Sequence, residues 1–132
     1  IVIDDYAHHP TEIRTTLAGA RRQYPKRIIT ALFQPHTYSR THALLSDFAR
    51  AFTYADEVVL LPVYSSMRER KEDFPKDLME QLLRNITRPW TKKLFSFEDA
   101  IRYCKALPRI KQKRVFITLG AGDGWKIAKA LA

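Results

Sequence analysis

Apolar residues follow two alternating rhythms along this chain. Short runs rich in β-branched and aromatic residues, Ile1–Ile3, Ile28–Phe33, Val58–Val63 and Val115–Leu119, are nearly continuous in hydrophobicity. Such runs suit strands buried on both faces of a parallel sheet. Leu94–Phe95 is a fainter fifth. Between them the period changes to three and four. Ile13, Leu17, Ala20 and Tyr24 share one helical face; Leu44, Leu45, Phe48, Ala49 and Phe52 form a second stripe; Leu78, Met79, Leu82, Leu83 and Ile86 a third. Phe97, Ile101, Cys104 and Leu107 make a fourth, and Ile127, Ala128 and Leu131 a fifth. This alternation predicts an α/β fold, a three-layer αβα domain with a mostly parallel sheet, over residues 1–132 as a single domain.

Helix-start chemistry agrees with the pattern. Pro10 suits a first helical position, with Glu12 placed for a capping box and His9 as an unusual cap. Ser96-Phe-Glu-Asp99 has capping-box spacing, and Asp123 precedes the last helix. The polar run Ser65–Asp73 is the one long loop, expected to be mobile.

Composition narrows the class. The chain has 132 residues with 45% hydrophobic content, and no segment approaches the ~20 apolar residues of a membrane span. One cysteine, Cys104, excludes an internal disulfide and suits a reducing cytoplasm. The first residue is Ile, inside an apparent strand, so the chain reads as a piece of a longer protein. The net charge of +9 invites a nucleic-acid hypothesis. Its location argues otherwise: Arg21, Arg22, Lys26 and Arg27 precede one strand, Lys92 and Lys93 another, and Lys111, Lys113 and Arg114 a third. In a parallel sheet these clusters form a solvated rim at the amino ends.

Candidate chemistry collects at the opposite, carboxyl ends, where open α/β sheets bind ligands. The first strand exit is Asp4-Asp5-Tyr6-Ala7-His8-His9; the second is Gln34-Pro35-His36-Thr37-Tyr38-Ser39-Arg40-Thr41. The third begins at Tyr64 and the fourth is Gly120-Ala121-Gly122-Asp123-Gly124. Three histidines, two aspartates and Arg40 on adjacent exits point to a ligand site. Adjacent His8 and His9 lack the spacing that aims two rings at one ion, and no metal site is expected. His36 and Arg40 open a helix, where unpaired N–H groups favour negative charge, and Arg40 can clamp a carboxylate or phosphate with two hydrogen bonds. The glycine-rich fourth exit is too short for a dinucleotide fingerprint; close backbone approach at the site or a tight turn would each explain it. The chain has neither a P-loop nor a Gly-x-Ser-x-Gly elbow.

The segments Asp4–Glu12 and Phe33–Thr41, with the Gly120-Ala-Gly-Asp123 turn, strongly resemble the C-terminal domain of the Mur ligases, and the likeness runs in order along essentially the whole chain. Nearest are the members that join L-alanine to UDP-N-acetylmuramate. The resemblance implies a Rossmann-like domain of a three-domain, cytoplasmic enzyme of peptidoglycan synthesis, whose central domain carries the P-loop and Mg2+. In such enzymes ATP phosphorylates the muramate carboxylate, and the amino acid's amine attacks the acyl phosphate. Carried onto this sequence, Asp5 would hydrogen-bond the ATP ribose, while Tyr6, His8, His36 and Arg40 would line the side of alanine and acyl phosphate. The proposal that His8 also accepts the amine's proton, as a catalytic residue, rests on the competence of neutral imidazole near pH 7. Two departures stand out: Thr37 occupies a position where the family often has Arg, and the third exit, Tyr64-Ser-Ser-Met-Arg-Glu, offers no residue with an assignable family role, Arg68 being a candidate extra cation there.

The isolated domain is expected to be inactive, to need its missing N-terminal and central domains, and to bind neither nucleic acid nor membrane. Three alternatives remain: a recycling ligase attaching a murein peptide to the same sugar, a basic nucleic-acid-binding module, and a Rossmann-like interaction domain with no ligand.

Overall fold

The computed structural model describes residues 1–108 and 111–132. Five strands, β1 (Val2–Asp5), β2 (Ile28–Phe33), β3 (Glu57–Leu60), β4 (Thr91–Leu94) and β5 (Arg114–Leu119), form one all-parallel sheet in the order β1-β5-β2-β3-β4. Helices α1 (Pro10–Gln23), α2 (Tyr38–Ala43), α3 (Leu78–Asn85), α4 (Phe97–Ala106) and α5 (Trp125–Leu131) connect and cover it, with 3₁₀ turns at Asp47–Arg50 and Lys71–Asp73.

Strand side chains alternate between two apolar layers, as the period of two demands. Ile29, Ala31 and Phe33 of β2, Val58 and Leu60 of β3, and Val115, Ile117 and Leu119 of β5 share one core with Ile13 and Leu17 of α1, Phe48 and Phe52, and Leu82 of α3. Leu32, Val59 and Phe116 point the other way, against Ala100 and Cys104 of α4 and Ile127 of α5. The sheet is therefore the middle of three layers, as the sequence predicts. Burial pushes the Cys104 thiol up to about 12, which makes it an inert packing residue.

The structure corrects several boundaries. The second apolar stripe is not one helix: α2 ends at Ala43, and Phe48 lies in the 3₁₀ turn that follows. Ser46 and Asp47 favour caps over helix interiors. Packing of Phe48 and Phe52 on Phe33, with ring centroids 5.4 Å apart in both pairs, outweighs helical continuity. β1 extends through Asp4 and Asp5, and β3 stops at Leu60, two residues before Pro62. Lys92 and Lys93 belong to β4 rather than preceding it; as an edge strand it tolerates polar residues that weaken its sequence signal. Asp123 does not cap α5 through its side chain; its carboxylate instead pairs with Lys126 at 2.9 Å.

Candidate functional site

The first and second exits are not neighbours, contrary to the sequence expectation: β5 lies between β1 and β2. The exits nevertheless meet, because β5 leaves the sheet through the smallest side chains in the chain, Gly120, Ala121 and Gly122. Gly120 has φ +141°, a conformation that favours glycine, and a Cβ there would lie 2.7 Å from the Gln34 backbone oxygen. At Gly122 a Cβ would stand 2.6 Å from Gln34 Oε1 and 2.7 Å from the Tyr64 ring. Of the two explanations for this turn, close approach is the right one, but the backbone approaches the protein's own second and third exits. Gln34 completes the seam: its Oε1 accepts the Asp123 N–H at 2.6 Å and its Nε2 donates to the Pro62 carbonyl at 3.3 Å.

Over that seam an aromatic and cationic row assembles. Tyr6, 71% exposed, meets His8 edge-on at 5.5 Å; His8 and His36 lie 5.9 Å apart; His36 stacks on Tyr64 at 5.5 Å with planes 10° apart. Arg40 Nη1 reaches His36 Nδ1 at 3.4 Å. Four of the predicted residues, Tyr6, His8, His36 and Arg40, thus converge. Tyr64 joins them by stacking, which its sequence position alone did not reveal.

Hydrogen-bond chemistry assigns tautomers to both rings. His8 Nδ1 lies 3.1 Å from the Tyr6 carbonyl oxygen, which can only accept, so in the neutral ring Nδ1 carries the hydrogen and Nε2 keeps its lone pair. Glu12 Oε2 is 3.7 Å from the same nitrogen and accepts the His8 backbone N–H at 3.2 Å. His36 Nδ1 faces a guanidinium, which can only donate, so neutral His36 accepts there. Desolvation first, then the Arg40 charge, holds the His36 pKa below 6.5, and the ring is neutral at pH 7. Arg40 is exposed and makes no ion pair with a carboxylate among the described residues.

Asp5 stands apart from this row. Its carboxylate turns down to accept the Ala7 N–H at 2.8 Å and the Thr16 hydroxyl at 3.3 Å. It lines a shallow groove of about 510 Å³ with Tyr6, Thr11, Glu12, Thr15 and Thr16. His9 is occupied at the helix start, its Nδ1 accepting the Thr11 N–H at 3.2 Å. Among the described residues no three His, Cys, Asp or Glu side chains converge on a possible metal position.

Two expectations change where the second and third exits meet. The Ser65–Asp73 loop is tied down rather than free, because Glu69 accepts the N–H groups of Tyr38 (2.7 Å), Ser39 (3.1 Å) and Ser66 (3.4 Å) and the Ser39 hydroxyl (3.2 Å). Phe74 stacks on Tyr38 at 5.8 Å. The amino end of α2, expected to be open to an external anion, is therefore filled by the protein's own carboxylate. Arg68 remains exposed, its backbone N–H donating to Ser66 Oγ at 3.2 Å and its guanidinium making no ion pair among the described residues.

The profile described as "Mur ligase, glutamate ligase domain" matches residues 1–122. UDP-N-acetylmuramate–L-alanine ligase of Symbiobacterium thermophilum is 47% identical over 135 aligned residues, which take in 99% of this chain and 27% of that protein. The enzyme of that name from Desulfosudis oleivorans is 38% identical over 98% of this chain and 28% of its own length. This chain thus spans little more than a quarter of the relatives it matches. Among solved structures, UDP-N-acetylmuramate–alanine ligase of Thermotoga maritima superposes with a TM-score of 0.67 at 29% identity, covering 97% of this chain and 25% of that one. A murein peptide ligase of Psychrobacter arcticus shares the fold, with a TM-score of 0.72 at 23% identity over 98% of this chain and 26% of that one. With its sheet order, its converging strand exits and these likenesses in agreement, the chain belongs to the Mur ligase family and corresponds to its glutamate ligase domain.

Proposed function

We propose that this chain is the C-terminal domain of an ATP-dependent ligase that joins L-alanine to UDP-N-acetylmuramate in peptidoglycan synthesis. The observation that carries the reading is a guanidinium, Arg40, free of any carboxylate partner among the described residues and held beside His36, whose ring lies 5.9 Å from that of His8. Arg40 would take the carboxylate of L-alanine in two charge-assisted hydrogen bonds. Neutral His36, accepting from Arg40 on Nδ1, has its Nε2–H left to donate to the same carboxylate. The amine is then directed toward His8, whose Nε2 lone pair is placed to receive the proton it loses on forming the amide. The domain's contribution is chiefly orientation of the nucleophile, with the electrophilic carbonyl presented by the rest of the enzyme.

ATP fits the groove beside Asp5. That carboxylate accepts one hydrogen bond on each oxygen and retains lone pairs for ribose hydroxyls. The Mg2+ that accompanies ATP would be held mainly by the central domain, as the family resemblance implies. The chain alone is expected to be inactive, because its sequence holds no P-loop.

The 47% identity to an L-alanine ligase favours alanine over a murein peptide, since the murein peptide ligase resembles this chain in fold alone. Against the nucleic-acid reading, three of the basic residues that prompted it are engaged within the fold. Arg21 pairs with Asp56 at 2.6 Å, Arg114 with Glu57 at 3.5 Å, and Lys92 donates to the Ile86 carbonyl at 2.5 Å.

The test is steady-state kinetics of the intact ligase with L-alanine and with the tripeptide. Arg40→Ala should lower kcat/KM for L-alanine about a hundredfold, the loss expected for two hydrogen bonds to a charged group. Unchanged alanine kinetics would remove the carboxylate-clamp assignment, and a preference for the tripeptide would select the recycling reaction.

A further inference from the structure

Glu69 lies on the third exit, outside the row described above, yet it controls how that row is mounted. Two of its four donors are the first two backbone N–H groups of α2, and Arg40 is the third residue of that helix. A third donor, the Ser66 N–H, belongs to Glu69's own loop, so the carboxylate staples that loop to α2. Two further strands of the connection run close by. The Thr37 N–H bonds to the Tyr64 carbonyl at 2.8 Å, and the Tyr64 N–H to the Pro35 carbonyl at 2.8 Å. These set the stacking of Tyr64 on His36.

The staple has something to hold. Thr37, the residue before α2, has φ 65°, an unfavourable conformation for a β-branched side chain. Its hydroxyl accepts the Arg40 N–H at 3.3 Å. α2 is only six residues long, with one buried side chain, Thr41, and with Tyr38 and His42 packed against the Phe74 ring, so contacts at its amino end carry much of its fixation.

Where the negative charge of Glu69 goes is informative. A carboxylate paired with the Arg40 guanidinium would occupy the donors needed for an external carboxylate. Glu69 instead bonds backbone N–H groups, fixing the helix while leaving the guanidinium available. Desolvation opposes its ionisation, but the N–H groups of Tyr38, Ser39 and Ser66 outweigh it and hold the carboxyl below its ordinary value of 4.5. At neutral pH the staple is closed.

We propose that Glu69 is a positioning residue for amino-acid binding: by stapling the third exit to the start of α2, it sets the height and direction of Arg40 beside His36. This rests on the reading that Arg40 clamps the carboxylate of L-alanine, and it adds a residue that touches neither substrate nor nucleotide.

The experiment uses the intact ligase and measures KM for L-alanine, KM for ATP and kcat in the wild type, Glu69→Gln and Glu69→Asp, each also in an Arg40→Ala background. Glu69→Gln should raise KM for L-alanine roughly tenfold, as expected for losing hydrogen bonds to a charged acceptor. KM for ATP should stay within about twofold, and Glu69→Asp should recover part of the loss. In the Arg40→Ala background the Glu69 effect should largely vanish, because the two residues act through one contact. Equal rises in both KM values, or full additivity with Arg40→Ala, would overturn the positioning role. If Arg40→Ala itself leaves alanine KM unchanged, the underlying clamp fails; if it raises KM while Glu69→Gln does not, only the staple fails. Should Glu69→Gln prove insoluble, Glu69→Asp measured alone against the same two KM values decides between these outcomes.

Discussion

The two ends of the sheet treat charge in opposite ways. At the amino ends, ionic groups pair with one another, although the buried Arg114 Nε is left without a hydrogen bond among the described residues. Glu57, buried on β3, accepts from the Tyr103 hydroxyl and the Thr30 hydroxyl (3.2 Å) and pairs with Arg114 at 3.5 Å. Desolvation, then the bond to Glu57, pushes the Tyr103 hydroxyl far above its ordinary value. Arg21 closes on Asp56 and the Tyr54 and Arg27 carbonyls. At the carboxyl ends, Arg40, Tyr6 and the free nitrogens of His8 and His36 are held in place without being consumed. A cluster that pairs internally builds the fold; one that leaves donors and acceptors unmatched is available to a ligand. Net charge alone distinguishes neither, which is why the +9 surplus was the least useful feature of the chain.

This contrast can be broken or sharpened by experiment. The largest effect on stability is expected at the closed end. Glu57→Ala leaves Arg114, with a side chain only 19% exposed, without its carboxylate partner and Tyr103 without its acceptor. It should cost about 3 kcal/mol in chemical unfolding, while alanine KM in the intact ligase stays near wild type. Arg40→Ala should do the reverse, with the hundredfold kinetic loss given above and a melting temperature close to wild type. If either substitution shows the other's signature, the division between the two ends is wrong.

Gly122→Ala sharpens the comparison at the seam. Its Cβ would have to displace Gln34 Oε1 or the Tyr64 ring, and both are engaged. A loss of about 1–2 kcal/mol in stability, from overpacking, should accompany a weaker hold on L-alanine. An effect on stability without one on alanine would detach Tyr64 and His36 from binding.

The smallest effect concerns pH. The Glu69 carboxyl is lowered on folding, so it contributes stability that is present above its unfolded value of 4.5 and is lost as pH falls through the lower folded value. The stability gap between wild type and Glu69→Gln, followed by thermal melts, should therefore narrow as pH drops below 4.5. A gap independent of pH would mean that the charge of Glu69 contributes nothing to the staple.

Much of the site could be read from residue types. Tyr6, His8, His36 and Arg40 stand out because reactive and cationic side chains replace ordinary turn residues at strand exits, and His9 with Pro10 reads as a helix start. Glu69 and Tyr64 did not stand out. One acid in a run of mixed charges carries no local signature, and its importance comes from donors some thirty residues away on α2. The break after Ala43 was equally hidden, since the stripe Leu44–Phe52 satisfies helical spacing whether or not the helix is continuous.

The order of strands and helices, the two-faced apolar pattern of the strands and the family motifs are local properties, and the sequence alone determined them. Periodicity acts over one or two turns of chain and needs no distant partner. The tertiary structure decided what lies beside what. It inserted β5 between β1 and β2, brought His8 to His36 over a seam of glycines, and placed Glu69 at the start of α2. Those outcomes depend on packing between segments far apart in sequence, where burial and backbone hydrogen bonding are optimised for the whole sheet at once.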